Sequence, residues 1–185
     1  MIKKLALIIG FIICLSSCGK DYVYRIEGEL SNLEDQTVYA VFEKDNYKEV
    51  DTVVCTKPGQ FQIDQNEAGF HCVTIFFADK EHWVTAYLEP GETVKITGDA
   101  NSPLLLQVKG GRTNDKLTAF KKKIAPLLTE LTNLSNSLNS KDLNDTIEET
   151  DIAARLANVN MQLSEEAIRY VKENPDEEVS VVLIQ

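Results

Sequence analysis

The fold is decided first by the stretch Tyr22-Val23-Tyr24-Arg25-Ile26-Glu27-Gly28-Glu29-Leu30, in which apolar and charged residues alternate. An extended backbone sends successive side chains to opposite faces, so a period of two predicts a strand with one buried and one wet face. The apolar side carries Tyr22, Tyr24, Ile26 and Leu30, and the charged side carries Arg25, Glu27 and Glu29. The N-terminal part of the chain is therefore predicted to be built from β-sheet.

The residues after this strand repeat the same kind of segment. Short β-branched and aromatic stretches are separated by turn residues, among them Lys44-Asp45-Asn46 and Glu89-Pro90-Gly91-Glu92. The further predicted strands are 37–43, 48–55, 60–64, 70–77, 82–88, 93–98 and 104–108. About eight strands in succession indicate an antiparallel sandwich or a barrel-like sheet. Segment 70–77 is apolar on both sides, which predicts a central strand that is covered on both faces.

One predicted hairpin assigns two strands to a common core face. The turn Thr56-Lys57-Pro58-Gly59 is expected to join 48–55 to 60–64, because Pro and Gly occupy positions that a type I turn favours. If Cys55 pairs with Gln60, one face carries Val50, Thr52, Val54, Phe61 and Ile63. That face is the expected core side, and the face with Cys55 is the wetter one.

At Gly110 the hydrophobic period changes to three and four, which predicts helices. Two apolar stripes follow: Leu117, Phe120, Ile124, Leu127, Leu131, Leu134 and Leu138, then Ile152, Leu156, Val159, Leu163, Ala167 and Tyr170. Thr113 or Asn114 is the candidate N-cap, and Pro126 is expected to kink or restart the first helix. The Asn- and Ser-rich residues 133–145 are expected to contain the break between two antiparallel helices.

The predicted architecture is α+β, with three parts along the chain. A signal peptide occupies residues 1–17, a β-rich domain occupies residues 18–110, and a helical region occupies residues 111–185. The last residues, 179–185, form an apolar run. This run either docks back on the domain or is the front part of something longer.

The first residues have the order of a secretory signal: Lys3 and Lys4, then an apolar core, then small residues. The apolar core is shorter than the ~20 residues that a membrane-spanning helix needs. Leu15-Ser16-Ser17-Cys18 resembles the lipobox of bacterial lipoproteins, which implies that Cys18 is lipidated and becomes the first mature residue. Its acyl chains would anchor the protein to the membrane. The expected location is the outer membrane, at the periplasmic face rather than the cell surface; an ordinary cleaved signal with an incidental cysteine is the alternative.

Composition and charge exclude several functions. Hydrophobic residues make up 43% of the chain, which predicts a packed core, and the formal net charge is −10. An acidic surface repels phosphate backbones and anionic headgroups, which argues against nucleic acid and against a basic membrane-binding patch. The sequence contains no nucleophile elbow, P-loop or dinucleotide-binding glycine pattern. No catalytic residue, cofactor site or metal site is therefore predicted.

The chain has four cysteines, of which Cys14 lies in the signal and Cys18 is the expected lipid site. Cys55 and Cys72 remain, in a compartment that permits disulfides. Their spacing matches neither a zinc site nor a thioredoxin-type redox motif. The favoured interpretation is two ordinary strand thiols, reduced because they occupy different faces. A structural disulfide and a catalytic pair are the alternatives.

Three further clusters invite a functional interpretation. They are His71, Asp79, Glu81 and His82 as metal ligands, Phe77, Trp83 and Tyr87 as a sugar-binding surface, and Glu89 with Glu92 as a carboxylate pair. The histidines and acids match no known ligand spacing, so a solvated turn explains them better. Aromatic residues in a small β-domain are mostly core, and two acids around a Pro-Gly turn are mostly solvated.

Several short segments of the sequence also resemble those of a known protein family. The matching pieces are 24–30, Val50-Asp51-Thr52-Val53-Val54, Gly59-Gln60-Phe61, Leu88-Glu89-Pro90-Gly91-Glu92, the entry into the helices at 110–120, and Glu173-Asn174-Pro175. Together they resemble a family of Gram-negative lipoproteins in which an N-terminal domain of unknown function precedes a thioredoxin-like domain. The resemblance implies a small β-rich domain, a helical segment after it, and a helical rather than extended closing segment. Family members with the second domain resemble thiol–disulfide oxidoreductases or peroxidase-like proteins with a Trp-Cys-x-x-Cys pair, which this sequence lacks.

The favoured hypothesis is a non-enzymatic accessory module that holds or orients a thioredoxin-like partner, fused in a longer precursor or separate. A lipid-anchored protein that captures glycans or peptides, with no redox role, is the alternative. A third hypothesis is an enzyme, a thiol–disulfide oxidoreductase whose active site lies beyond Gln185.

Overall fold

A computed structural model describes residues 23–34, 37–77, 81–140 and 146–184. Within these ranges the strands precede the helices. The strands are β1 (Tyr24–Ser31), β2 (Thr37–Lys44), β3 (Tyr47–Val54), β4 (Gln60–Gln65), β5 (Cys72–Phe76), β6 (Trp83–Tyr87), β7 (Thr93–Asp99) and β8 (Gln107–Lys109). The helices are α1 (Arg112–Lys123), α2 (Ala125–Ser140), α3 (Thr146–Glu173) and α4 (Glu178–Val182), and a short 3-10 turn, Pro103–Leu105, precedes β8. The predicted α+β class, with eight strands followed by helices, is confirmed.

Two four-stranded sheets pack against one core. Sheet A has the order β4-β1-β7-β8 and sheet B the order β3-β2-β5-β6. Neighbouring strands are antiparallel except β1 and β7, which run parallel. The inward side chains of both sheets form one buried cluster, in which Tyr24 and Ile26 of β1 meet Phe42 of β2 and Ile75 of β5. The alternation in residues 22–30 thus predicted correctly which side of β1 is buried.

The predicted hairpin between β3 and β4 is wrong, because the two strands belong to different sheets. The turn after β3 carries the chain from the edge of sheet B to the edge of sheet A, where β4 pairs with β1. The amide of Leu30 donates to the Gly59 carbonyl at 2.8 Å, which anchors this turn beside β1. Phe61 is buried as predicted, whereas Val50 and Val54 are 66% and 69% exposed.

The prediction that segment 70–77 is covered on both faces is also wrong in part. β5 lies inside sheet B, between β2 and β6, as expected for a central strand. Its inward residues Val73 and Ile75 are fully buried, but Cys72, Thr74 and Phe76 on its outer side are half-buried. No described element packs over that outer side, which therefore contacts solvent.

The helices follow the predicted stripes with shifted starts. α1 begins at Arg112, directly after Gly111, so Thr113 and Asn114 are buried inside the helix and do not cap it. Pro126 is the second residue of α2, which confirms the predicted restart of the helix. Helices α2 and α3 pack antiparallel, since Leu134 clusters with Ile152 near the start of α3 while Leu128 clusters with Tyr170 near its end. The sequence between the two helices, 141–145, lies outside the described residues.

Helix α1 closes one open side of the sandwich by bonding to the edge strand of each sheet. The amide of Tyr87 in β6 donates to Asn114 Oδ1 at 2.9 Å, and Asn114 Nδ2 donates to the Tyr87 carbonyl at 2.7 Å. One turn further, Thr118 Oγ1 accepts from the Val108 amide at 3.1 Å and donates to its carbonyl at 2.6 Å. These side chains replace the missing neighbouring strands of β6 and β8.

The closing apolar segment docks back on the domain as helix α4. Val179 is fully buried, and the helix contacts both α1 and α3. The helical form of this segment, which the family resemblance implied, is confirmed.

Candidate functional site

The outer side of sheet B forms a continuous surface, here called the B face. The strand register places its side chains in three rows. The rows are Thr52, Tyr39, Phe76 and Trp83; Val50, Val41, Thr74 and Thr85; and Lys48, Glu43, Cys72 and Tyr87. Val54, beside Thr37, extends the β3 edge of this face. Eight of these fourteen side chains are aliphatic, aromatic or thiol groups, so the B face has a composition that is unusual for a solvated surface.

The outer side of sheet A has the opposite character. Arg25 of β1 makes a bidentate ion pair with Asp64 of β4, with nitrogen–oxygen distances of 2.6 and 2.8 Å. The hydrogen bond from Arg25 lowers the pKa of the Asp64 carboxyl. Lys95 of β7 lies 3.7 Å from the carboxylate of Glu27. The outer face of sheet A is thus lined by ion pairs, whereas the B face places the ion pair between Lys48 and Glu43, at 2.6 Å, beside its aliphatic and aromatic side chains.

Aromatic contacts organise one row of the B face. The rings of Phe76 and Trp83 lie 6.0 Å apart between centroids with an interplanar angle of 39°, and Trp83 is 53% exposed. In the next row, the hydroxyls of Thr74 and Thr85 lie 3.1 Å apart and form a hydrogen bond. This arrangement offers stacking and apolar contact to a partner.

The thiol on the B face is not activated. Burial raises the pKa of the Cys72 thiol, and the neighbouring Glu43 carboxylate acts in the same direction. A raised pKa keeps sulfur in the thiol form, which is the poorer nucleophile. Burial likewise raises the pKa of Tyr87, which lies opposite Cys72 on β6.

The second cysteine is far from the first. Cys55 follows Val54, which pairs with Thr37, whereas Cys72 pairs with Glu43 six residues further along β2. At ~3.4 Å per residue the two thiols are about 20 Å apart, while a disulfide needs Cα atoms within about 7 Å. Neither cysteine is in a disulfide among the described residues. The predicted wet position of Cys55 is wrong, since its side chain packs against the core between the sheets.

A polar cluster lies where α4 docks. The carboxylate of Glu177 accepts hydrogen bonds from Lys116 and from the Tyr170 hydroxyl, the latter at 2.7 Å. The bond from Lys116, followed by that from Tyr170, lowers the pKa of Glu177. Burial and then the bond to Glu177 raise the pKa of Tyr170 to about 12. The hydroxyl of Thr113 donates to Glu178 in the same cluster, which fastens α4 to α1.

The other residues considered from the sequence do not form a shared site. Glu89 accepts from the Arg112 amide at 2.7 Å, so its carboxylate anchors the start of α1. His71 Nε2 lies 3.2 Å from Asp45 Oδ1. In the described ranges no group of three or more His, Cys, Asp or Glu side chains lies close enough to hold a metal ion. Asp79 lies outside those ranges, as does Cys18.

The sugar-binding interpretation named one wrong aromatic residue. Phe77 is 2% exposed and belongs to the core, whereas its neighbour Phe76 lies on the B face with Trp83 and Tyr87. Exposed Val50 and Val54 and half-buried Tyr39 and Val41 also lie on the B face, and the sequence pattern did not identify them as surface residues. Both sides of these strands carry apolar residues, so a period of two does not say which side is covered. The charged residues of β3 were the available signal that this strand lies at an edge.

The described residues form a β-sandwich with an appended helical hairpin and an outer sheet face rich in aliphatic and aromatic side chains. None of the helices described is long and apolar enough to cross a membrane. The family model with the description "Domain of unknown function (DUF4369)" matches residues 24–117, and the chain belongs to this family. The match covers all eight strands and the start of α1. No curated protein and no solved structure matches the chain.

Proposed function

We propose that this protein is a lipid-anchored, non-catalytic module of the cell envelope that uses the B face to hold a thioredoxin-like partner. The observation that carries the proposal is the exposed apolar character of the B face, beside a charged outer face on sheet A. A surface of this kind is typical of protein interaction sites. The identity of the partner is supported by the resemblance of the sequence to lipoproteins that carry a thioredoxin-like domain.

The position of α4 supports the same proposal. A cavity of about 370 Å³ lies between the end of β6 and α4, and Tyr87, Val181 and Val182 line it together with His71. Tyr87 belongs to the B face, so the apolar surface continues from sheet B onto α4. In the lipoproteins that the sequence resembles, the segment corresponding to α4 leads to the thioredoxin-like domain. A domain in that position would lie beside the B face.

A photo-cross-linking experiment tests the proposal. A photoreactive residue replaces Thr85 of β6 on the B face, and the matched control carries it at Thr97 of β7 on the outer side of sheet A. In the cells that make the protein, Thr85 is expected to cross-link to a protein or domain that contains Trp-Cys-x-x-Cys, and Thr97 is not. Equal cross-linking from both positions, or a Thr85 target without that motif, contradicts the proposed function.

A second candidate function is glycan binding by the same surface, which one observation favours. Trp83 is exposed and packs against Phe76, and such a pair offers a platform on which a sugar ring can stack. Trp83 is the single tryptophan of the chain, so its fluorescence reports on this position. A saturable change of that fluorescence with an envelope polysaccharide, lost in Trp83→Ala, would favour glycan binding over the thioredoxin-like partner.

A further inference from the structure

The free edge of strand β3 has features that the B face alone does not explain. Among the described strands, β3 is the last of sheet B and pairs with β2 through all eight of its residues without a bulge. It contains no proline. A long, regular edge strand presents a row of unpaired backbone groups, which proteins usually cover or interrupt.

The hairpin register shows which residues present these backbone groups. β2 and β3 are joined by the two-residue loop Asp45-Asn46, so the closing pair Lys44–Tyr47 is hydrogen-bonded. Bonded and non-bonded pairs alternate along antiparallel strands. The amides and carbonyls of Lys48, Val50, Thr52 and Val54 therefore point away from β2, toward the open edge. No backbone partner for them occurs in the part of the chain that the structure describes.

The edge strands on the opposite side of the sandwich, β6 and β8, are covered by side chains of α1. On the other side of the sandwich, Asn114 bonds to the outward backbone groups of Tyr87 in β6, and Thr118 bonds to those of Val108 in β8. On the β3 side, the neighbouring edge strand β4 is shorter and carries the polar side chains Gln62 and Asp64 on its outer face. The edge of β3 thus combines length, regularity and exposed apolar side chains with the charged residues Lys48, Glu49 and Asp51.

The same residues that offer backbone groups also offer side-chain contacts. Val50, Thr52 and Val54 project from the outer side of β3, and all three are exposed. β-branched residues favour strand pairing, because they pack against the side chains of a neighbouring strand. A strand added at this edge would place every second one of its side chains beside Val50, Thr52 and Val54.

The charges at this edge indicate the chemistry of the other side chains. Glu49 and Asp51 alternate with the valines and point to the opposite side of β3, where Glu49 also accepts a hydrogen bond from Gln65 Nε2 of β4 at 3.3 Å, and the whole chain has a net charge of −10. A second copy of the chain fits poorly. In the two antiparallel registers with the largest overlap, Asp51 would face either Asp51 or Glu49 of the other copy, and like charges directly opposite destabilise a sheet. An extended segment with basic residues at these positions complements both acids.

We propose that the edge of β3 binds an extended peptide segment by strand addition, and that this segment alternates apolar residues with lysine or arginine. Its apolar side chains contact Val50, Thr52 and Val54, its basic side chains contact Glu49 and Asp51, and its backbone pairs with the outward groups of β3. Backbone pairing supplies affinity in this mode of recognition, and the alternate side chains supply specificity. This binding site does not depend on the proposed thioredoxin-like partner.

A designed peptide tests the site on the purified protein. The probe is a peptide of alternating valine and lysine with alternate backbone nitrogens methylated, so that one edge can pair and the peptide does not stack on itself. The expected result is that saturating peptide slows hydrogen exchange of the Val50 and Thr52 amides by at least about tenfold, because these amides become hydrogen-bonded. A matched peptide with glutamate in place of lysine is expected to give no protection, and Glu49→Gln with Asp51→Asn is expected to weaken binding of the lysine peptide.

Substitutions at one position separate backbone pairing from apolar contact. Thr52→Pro removes an outward amide without removing a bond to β2, and it is expected to weaken peptide binding by at least about tenfold. Thr52→Val keeps the amide and is expected to bind at least as well as the natural protein. Should Thr52→Pro fail to fold, methylating the peptide on its pairing edge removes the same hydrogen bonds from the other side.

Several results would overturn the proposal. These are equal binding by Thr52→Pro and Thr52→Val, equal binding of the acidic peptide, or protection that maps to sheet A. A dimer of the natural protein that Thr52→Pro converts to a monomer would assign the edge to a second copy instead. Failure of the Thr85 cross-link leaves these peptide results intact, so the two proposals fail separately.

Discussion

At the scale of single residues, the hydrogen bonds of Glu177 make the attachment of α4 sensitive to pH. Lys116 and Tyr170 both donate to its carboxylate, which favours the charged form and lowers its pKa. A carboxyl whose folded pKa lies below its unfolded value stabilises the fold above the unfolded pKa. That contribution is lost as the pH falls through the folded pKa.

The first prediction compares two glutamine substitutions. Glu177→Gln should lower the melting temperature most near about pH 6, and the difference from the natural protein should shrink toward about pH 3, below the ordinary pKa of 4.5 at which the carboxyl of the unfolded chain takes up its proton. Glu173→Gln, the same change at the exposed end of α3, is the matched control. The pKa of Tyr170, raised to about 12, should also fall toward its ordinary value in Glu177→Gln, because one of its causes is removed. A difference that stays constant between these pH values contradicts the assignment.

At the scale of elements, α1 stabilises the sandwich by completing its edge strands. Asn114 is 1% exposed and makes three hydrogen bonds to backbone groups, two to Tyr87 and one to the Gly110 carbonyl at 2.6 Å. Buried backbone groups that lose their partners destabilise a protein by their full desolvation cost. The helix and the sheets are therefore expected to unfold together.

The second prediction measures this coupling. Asn114→Ala should lower the free energy of unfolding by about 2–4 kcal/mol in urea denaturation, since two groups of Tyr87 lose their partner. Asn158→Ala, the same change at an exposed position of α3, should be neutral or slightly stabilising because alanine is the better helix former. A loss below about 1 kcal/mol for Asn114→Ala would show that α1 does not hold the edge of β6.

The role of α1 in completing the edge strands could not be predicted from its sequence. Thr113 and Asn114 have the residue types of an N-cap, so local chemistry placed them at the helix start. In the structure both lie within the first turn and bond to other elements, Thr113 to Glu178 and Asn114 to Tyr87. Such partners are distant in sequence, and no local pattern identifies them.

At the scale of the whole molecule, the third prediction concerns the membrane anchor proposed at Cys18. Cys18→Ala should move the protein from the membrane fraction to the soluble fraction, because the acyl chains are the expected membrane contact. Cys14→Ala is the matched control and should leave the protein in the membrane, since Cys14 lies in the part of the signal expected to be removed. Fractionation and the mass of the mature protein measure both effects. Continued sedimentation of Cys18→Ala with membranes would refute the lipid assignment.

Much of the architecture followed from local patterns. The period of two in residues 22–30 predicted the buried side of β1, the change of period at Gly110 predicted the helices, and Pro126 predicted the restart at α2. The candidate site followed only in part. Trp83, Tyr87 and Phe77 were considered as a surface but core positions were favoured for all three, Phe76 was not considered, and Val50 and Val54 were assigned to the core.

What the sequence determined by itself is therefore the order and kind of the elements, together with the expectation of a lipid signal at Cys18. These depend on interactions between residues that are near one another in the chain. Tertiary structure alone decided that β3 and β4 join different sheets, that α1 bonds to both β6 and β8, and that no described element packs over the outer side of sheet B. The physical reason is that the hydrophobic effect is non-directional: an apolar side chain gains a similar free energy whichever element buries it. The sequence pattern therefore shows that a side chain can be buried but not which element buries it.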